Sequence, residues 1–261
     1  MPIVTLTTDF GDSDHFTASM KGAILSIAPR VTIVDVTHQI APFAIEEGAF
    51  TIAEASRGFP KKTVHVGVVD PGVGSARRPI LVETGGQYFV GPDNGLLSMV
   101  YGRDAKSKVR HITNSDYFAK QVSATFHGRD IFAPVAAHLA KGVRPAAMGP
   151  EIEDFLRPAT EGPVRTDKRC WTGSVVKVDR FGNLITNIHV DQFPAIRERP
   201  ILLITGVHPV EKLVGTFADG PVGEPFLVVG SSGYLEVAFQ QESAAKKLGC
   251  RTGTPVELTV Y

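Results

Sequence analysis

The sequence has few cysteines and no excess of charge of either sign. Its 261 residues contain only Cys170 and Cys250, which lack the CxxC spacing of a metal site and are too few for a disulfide framework. A single bridge between them is compatible with the sequence. Lys+Arg and Asp+Glu are equal at 27 each, so no net field attracts nucleic acid or an anionic membrane. We therefore expect no nucleic acid partner.

Long hydrophobic runs are also missing. No stretch of about 18 apolar residues occurs that could span a membrane. The first residues, MPIVTLTTDFG, lack the basic start and apolar region of a signal peptide. We therefore expect a cytoplasmic protein without membrane contact. Hydrophobic residues make up 43% of the chain, which is enough to fill a sizeable core in one large domain or two smaller ones.

The first part of the chain alternates between strand and helix patterns. Such alternation is typical of an α/β domain, and we expect residues 1–160 to form one with a largely parallel sheet. Gly85 and Gly86 predict a tight hairpin turn between two further strands. The early strands are predicted over 3–7, 31–36 and 64–69, and the helices between them from Asp14 to Pro29 and from Pro42 to Gly58.

The last part of the chain has a different character. Residues 145–167 lose hydrophobic periodicity and gather prolines, which predicts a linker. Short strand patterns separated by turn residues follow, with one helix signal over 242–248. We therefore predict a smaller, all-β barrel domain over 161–261.

Asp70 stands at the end of the most apolar strand, in the run VHVGVVDPGVGSARR over 64–78. In open α/β sheets the carboxyl ends of the strands border the ligand crevice, so Asp70 and, after the first strand, Asp9 are candidate functional acids. Asp-Pro-Gly is also an ordinary turn sequence. The local sequence leaves both interpretations open.

His127 directly precedes a helix predicted over 131–141. The free amides and the dipole at a helix N-terminus oppose protonation of an imidazole there, which favours a neutral histidine able to act as a base. A capping or packing role is the alternative.

Two loops of the second domain are polar and rich in glycine: DRFGN over 179–183 and GSSGY over 230–234. Asp and Asn side chains suit a cationic amine and an adenine edge. Plain hairpin turns are the alternative for both loops.

Seven motifs, in this order, resemble the S-adenosyl-L-methionine (SAM) hydroxide adenosyltransferases, which are SAM hydrolases related to fluorinase and chlorinase. The resemblance covers nearly the whole chain. The motifs are TTDFG at Thr7, EEGA at Glu46, VVDPGVGSARR at Val68, GPDNGLL at Gly91, FHGRDIFAP at Phe126, DRFGNLITNI at Asp179 and SSGYL at Ser231.

The resemblance implies an N-terminal α/β domain, a C-terminal β-barrel, and a homotrimer with active sites between neighbouring subunits. The implied reaction converts SAM and water into adenosine and L-methionine, with SAM as substrate and without a metal or other cofactor. The family's catalytic triad falls on Asp70, Arg77 and His127. Only spacing distinguishes Arg77 from its neighbour Arg78, and either Asp70 or His127 could be the base.

The resemblance also implies a set of substrate-binding residues. Asp9 would bind the ribose hydroxyls, with Asp14 as a weaker second acid. Asp179 would hold the methionine amino group, Asn183 the adenine and Ser231 the methionine carboxylate. The aromatic residues of the set are Phe43 and Phe217 as walls, and Phe181 and Tyr234 from the two polar loops.

Departures from the halogenases favour water over halide as the nucleophile. The halogenases carry Tyr where this chain has Asp70, and a Tyr followed by a halide-facing residue where it has His127 and Gly128. Their insertion before the GPDNG-type loop is missing, since Gly85 and Gly86 make a short turn. The alternative of the same chemistry is a SAM-dependent halogenase that forms 5′-halo-5′-deoxyadenosine.

Two alternatives of other classes are a non-catalytic protein that binds SAM or adenosine, and a metal-dependent hydrolase. The second would use Asp9, Asp14, Asp70 and His127 as hard ligands. No HxH or HExxH spacing supports it.

Overall fold

The computed structural model describes residues 1–102, 104, 106–157 and 162–261. The chain divides into two compact units, Met1–Pro158 and Ala159–Tyr261. The predicted boundary between residues 160 and 161 lies outside the described residues. None of the helices in the described ranges is long and apolar enough to cross a membrane.

The first unit is a six-stranded sheet with helices on both faces. Its strands are β1 (Ile3–Thr8), β2 (Thr32–Thr37), β3 (Val64–Val68), β4 (Pro79–Thr84), β5 (Gln87–Pro92) and β6 (Lys108–His111), and its helices are α1 (Phe16–Ile27), α2 (Ile45–Ser56), α3 (Ser98–Tyr101) and α4 (Ala133–Ala140).

The sheet is only partly parallel, which corrects the prediction of a largely parallel one. Its strand order is β2-β1-β3-β5-β4-β6, and the first four strands of that order run parallel. The turn at Gly85 and Gly86, both with positive φ, reverses the chain, so that β4 pairs antiparallel with β5 and β6. Because of this reversal, β4 begins beside the carboxyl end of β3. The residues just before β4 therefore lie close to Asp70.

The centre of this sheet is buried on both faces. All five residues of β3 are buried, and Val64, Val66 and Val68 belong to the cluster that contains the buried residues of α1 and α4. The opposite face packs against α2 and α3, through a cluster that includes Ile52 and Val100. A nearly uninterrupted run of apolar residues thus predicts this strand correctly.

The predicted linker over 145–167 is wrong at both ends. Residues 145–157 belong to the first unit, where Glu151 forms a β-bridge with Arg110 and the amide of Thr113 donates to the carbonyl of Met148 at 2.9 Å. At the other end, Val164–Asp167 forms a strand. Backbone hydrogen bonds, not apolar periodicity, order both segments, which is why the sequence pattern missed them.

The second unit is built on a nine-stranded sheet. All of its strand pairs are antiparallel except β12 with β13. Its elements are β7 (Val164–Asp167), β8 (Cys170–Val178), β9 (Leu184–His189), β10 (Ile201–Thr205), β11 (His208–Val210), β12 (Leu213–Val214), β13 (Phe226–Val229), β14 (Tyr234–Ala238), α5 (Ala244–Leu248) and β15 (Pro255–Val260).

This sheet curls into a half-barrel. Its main path runs β11-β10-β15-β8-β9-β14-β13-β12, and among the described strands no pairing joins the two ends of that path. A closed all-β barrel therefore stays a prediction, whereas the helix predicted over 242–248 is present as α5. Cys170 and Cys250 both lie in this unit with free thiols.

Candidate active site

Asp70 and Arg77 form a buried, bidentate ion pair in the first unit. Asp70 follows β3 and Arg77 precedes β4. Arg77 Nε donates to Asp70 Oδ1 at 2.9 Å, and Arg77 Nη2 donates to Asp70 Oδ2. The side chain of Arg77 is 8% exposed and that of Asp70 is 4% exposed. Such a fork fixes the orientation of the carboxylate as well as its charge.

Arg78 has different partners from its neighbour. Its Nη2 donates to Asp93 Oδ2 at 2.8 Å, and its Nη1 donates to Asp154 Oδ1 at 2.8 Å. The arginine that contacts Asp70 is therefore Arg77, while Arg78 ties two other loops of the unit together.

His127 completes the cluster through Arg77. Its Nδ1 lies 3.0 Å from Arg77 Nη2. Because a guanidinium can only donate, Nδ1 must accept, and the neutral ring carries its proton on Nε2. Burial lowers the pKa of His127, and the positive charge of Arg77 lowers it further, while the charge of Asp70 acts in the opposite direction. The imidazole is therefore neutral near pH 7.

The loop before His127 is folded around the carboxylate of Asp130. Ser123 donates its amide to Asp130 Oδ2 at 2.9 Å, and Phe126 donates its amide to Ser123 Oγ at 3.0 Å. His127 then precedes one π-helical turn, Gly128–Phe132, which leads into α4. Wide turns of this kind are frequent at functional sites.

Gly74 brings the two loops of the cluster into direct contact. It adopts φ +77°, and a Cβ atom there would lie 2.2 Å from the carbonyl oxygen of Ala124. Only glycine allows this approach, so the loop after β3 and the loop before His127 pack backbone against backbone.

A cavity of about 280 Å³ opens beside this cluster, and Asp9, Phe43, Asp70 and His127 all line it. Asp9 Oδ2 accepts a hydrogen bond from the amide of Phe43 at 2.9 Å. Phe43 has φ +67°, and the residue is 70% exposed. A large apolar ring held exposed on a strained backbone is typical of a ligand contact.

Three more aromatic rings line this cavity, and the sequence pattern did not single them out. The ring centroid of Phe16 lies 5.7 Å from that of Phe10 and 5.2 Å from that of Phe126. Phe10 and Phe126 lie in two of the seven motifs, TTDFG and FHGRDIFAP, which is a sequence signal for both. Phe16 lies outside the motifs and has no such signal.

A second cavity, of about 610 Å³, lies in the second unit. The residues predicted there that line it are Asp179, Phe181, Asn183, Phe217 and Ser231.

Asp179 also shapes its own loop. Its Oδ1 accepts the amides of Phe181 at 2.9 Å and Asn183 at 2.8 Å, and its Oδ2 accepts Asn183 Nδ2 at 2.8 Å. The loop is therefore a turn that also lines the cavity, and its role in binding an amine and adenine stays a prediction.

Two of the predicted substrate contacts do not line these cavities. Asp14 is exposed next to Ser13, at the surface before α1. Tyr234 is buried in β14, with its ring centroid 4.9 Å from that of His189. The sequence also missed Glu236, an acid that lines the second cavity from the apolar strand β14.

The residues considered as metal ligands, Asp9, Asp14, Asp70 and His127, do not form a metal site in the described part of the chain. Within the described ranges, no group of three or more His, Cys, Asp or Glu side chains could hold a metal ion. Arg77 binds both oxygens of Asp70, so a cation already occupies the place that a divalent ion would take beside that carboxylate.

Comparison with known proteins agrees with this geometry. Residues 4–149 match the SAM hydroxide adenosyltransferase N-terminal domain, and residues 173–257 match the C-terminal domain of the same family. The chain is 38% identical over 274 residues to the (R)-S-adenosyl-L-methionine hydrolase of Salinispora tropica, covering 99% of this chain and 98% of the relative. It is 30% identical over 290 residues to a fluorinase of an Actinoplanes species, covering 99% and 97%.

A solved structure extends the likeness to the fold. An uncharacterized conserved protein from Thermotoga maritima superposes with a TM-score of 0.90 at 35% identity, covering 98% of this chain and 99% of that one. The motif-based prediction is confirmed: the chain belongs to the SAM hydroxide adenosyltransferase family.

Proposed function

We propose that the protein hydrolyses SAM to adenosine and L-methionine. The observation that carries this proposal is the cluster of Asp70, Arg77 and His127, in which Asp70 and His127 line a cavity, in a chain of this family. The identity to a named hydrolase, 38%, exceeds the identity to a fluorinase, 30%, which favours water over halide as the nucleophile.

The chemistry needs an activated nucleophile rather than an acid. The sulfonium makes methionine a neutral leaving group, so displacement at the ribose C5′ needs no protonation of the sulfur. Water attacks C5′ in line with the C–S bond, the C–S bond breaks, and one proton is released. Holding the water molecule in line with the C–S bond lowers the activation barrier. A base that accepts the proton of this water adds roughly 10²- to 10⁴-fold in rate.

The geometry divides the roles within the cluster. His127 Nδ1 faces a donor of Arg77 and cannot take a proton from water while that contact lasts. Each oxygen of Asp70 accepts one bond from Arg77 and retains acceptor capacity. We therefore assign Asp70 as the proton acceptor. Arg77 fixes Asp70 and stabilises the developing hydroxide, and neutral His127 holds Arg77 in place.

The substrate contacts follow the two cavities. In the first, Asp9 binds the ribose hydroxyls and Phe43 covers the sugar. In the second, Asp179 binds the methionine amino group, Asn183 the adenine and Ser231 the methionine carboxylate. Phe181 and Phe217 line the second cavity as aromatic walls. No cofactor enters this scheme.

The active form in this proposal is a homotrimer, in which the first unit of one subunit meets the second unit of its neighbour. Each cavity carries only part of the substrate-binding set. The first, at about 280 Å³, is just below the roughly 300 to 1,000 Å³ typical of ligand sites. A closed cyclic arrangement would complete every site in the same way. A cytoplasmic location, consistent with two free thiols, belongs to the same proposal.

The test is incubation of the purified full-length protein with SAM, with and without chloride or fluoride, followed by chromatography. We expect equal amounts of adenosine and methionine under all conditions. A 5′-halogenated nucleoside would identify a halogenase, and SAM binding without turnover would identify a binding protein.

Asp70→Asn is the matched variant for this test. Because an amide cannot accept the proton, the rate of hydrolysis should fall at least about tenfold, while adenosine affinity changes little. Full activity in this variant would remove Asp70 from the mechanism.

A further inference from the structure

Glu236 is a buried acid in the middle of an apolar strand. All five residues of β14 are buried, and Glu236 is only 9% exposed. Its neighbours across the sheet are Ile185 on β9 and Val228 on β13, which are both apolar. Its carboxyl group nevertheless lines the cavity of the second unit. A buried carboxyl group requires a partner to offset the cost of its desolvation.

The described residues around Glu236 do not supply that partner. Asp179 faces it with the same charge, and Glu242, also on the cavity wall, is paired with Lys247 at 2.7 Å. On β9 the titratable group is His189, which packs against Tyr234, and β13 carries none. Burial and the charge of Asp179 together raise the pKa of Glu236 to about 7.

The backbone makes room for this carboxyl group. A Cβ atom at Gly230 would lie 1.8 Å from Glu236 Oε1 and 2.7 Å from its Cδ. Since Ser231 follows Gly230 directly, the carboxyl group lies against the loop that also lines the cavity.

Asp179 alone has little capacity left for an ammonium group. Three donors of its own loop already bind its two oxygens. A carboxylate offers about four acceptor sites, and an ammonium group brings three donors. A second carboxylate in the same cavity supplies the missing acceptors.

We propose that Glu236 is a specificity-determining residue that binds the substrate's ammonium group together with Asp179, and that Glu236 gives up its proton when this cation binds. The inference rests on the proposed function for the identity of the cation. It adds a residue and a proton release to the binding step, and it leaves the chemical step unchanged.

The first test compares Glu236→Gln with Glu257→Gln, an exposed acid on β15, in steady-state kinetics. In the wild-type protein and in the control, KM for SAM should fall about tenfold between pH 6 and pH 8, because ionised Glu236 binds the cation more tightly. In Glu236→Gln, KM should be at least about tenfold higher at pH 8 and independent of pH, with little change in kcat. A wild-type KM and pH profile in Glu236→Gln would overturn the proposal.

The second test counts protons and needs no folded variant. Calorimetric titration of the wild-type protein with L-methionine in the presence of adenosine, in two buffers of different ionisation enthalpy, should show release of about half a proton at pH 7. Adenosine alone should release none. Release with adenosine alone, or none with methionine, would contradict the assignment of the ammonium group. If the wild-type protein does not turn over SAM, the proposed function fails, and this titration still decides the role of Glu236.

Discussion

Arg77 and Arg78 are adjacent in sequence but differ in their partners, and a matched pair of substitutions separates their roles. Arg77→Lys keeps the charge but cannot reproduce the fork on Asp70 together with the contact to His127. We expect kcat to fall at least about tenfold, while Arg78→Lys leaves kcat within about twofold. Steady-state kinetics with SAM checks both. Full activity in Arg77→Lys would show that charge alone matters, and equal losses in the two variants would show that the fork of Arg77 on Asp70 has no special role.

The protonation state of His127 predicts an acid limit to activity. Its pKa lies below the usual value of about 6.5, so the neutral ring still predominates at pH 6.5 and the charged form accumulates as the pH falls further. A charged ring faces the cation of Arg77 and breaks the contact through Nδ1. We therefore expect kcat to be constant above pH 6.5 and to fall at lower pH.

A profile of kcat against pH measures this limit. His127→Gln should show a lower kcat without the same acid limb. An acid limb that persists unchanged in His127→Gln would assign it to another group. The pH dependence that we assign to Glu236 affects KM and not kcat, so it is measured separately from that of His127.

For single residues, the sequence predicts which side chains are functional better than it predicts their contacts. Asp70 and His127 are recognisable because one ends an apolar strand and the other precedes a helix. The choice between Arg77 and Arg78 depends on the conformation of the loop before β4, which the residue pattern does not encode. Glu236 does carry a sequence signal, because an acid in an otherwise apolar strand is costly to bury.

The central strand β3 carries a buried histidine, His65, with a consequence for stability. His65 Nδ1 lies 2.8 Å from Thr5 Oγ1, and its ring stacks on Phe89 with the centroids 4.7 Å apart. Burial lowers the pKa of His65 to about 4. The unfolded chain takes up a proton below pH 6.5 while the folded protein does not, so stability is lost as the pH falls from 6.5 towards 4.

The expected loss from this one group is about 3 kcal/mol of unfolding free energy at pH 4, at about 1.4 kcal/mol for each pH unit. Urea unfolding at several pH values measures it. His65→Gln should be less stable at pH 7 and should lose less on acidification, whereas His15→Gln, at an exposed position before α1, should follow the wild-type curve. An unchanged slope in His65→Gln would refute the assignment.

The sequence predicts the longer elements and misses several of the shortest strands. Apolar runs and the glycine pair predict β3 and the β4–β5 hairpin, because these signals are local. The strands β6, β7, β11 and β12 have two to four residues each, too few to establish a period. The order of strands in either sheet depends on long-range pairing, which one sequence does not specify.

The proposed trimer predicts complementation between two inactive variants. Asp70→Asn disables the first unit, and Ser231→Asp, at an exposed position, places a negative charge at the proposed site of the methionine carboxylate. Each variant alone should have less than about a tenth of wild-type activity. When the two variants are mixed in equal amounts during refolding, the mixture should regain about a quarter of the wild-type activity. That fraction of interfaces combines an intact first unit with an intact second unit.

Light scattering on the wild-type protein supplies the control, with a mass of three chains expected. If each site forms within one chain, the mixture stays inactive, because every chain then carries one disabled half. A monomeric mass together with full activity would rule out the shared site.

The contact between Gly74 and Ala124 has a consequence for protein engineering. Two segments that lie about fifty residues apart in the chain meet with no side chain between them, so neither can change its path without moving the other. A design that transfers Asp70, Arg77 and His127 to a new scaffold should therefore include both segments as one unit and retain glycine at position 74.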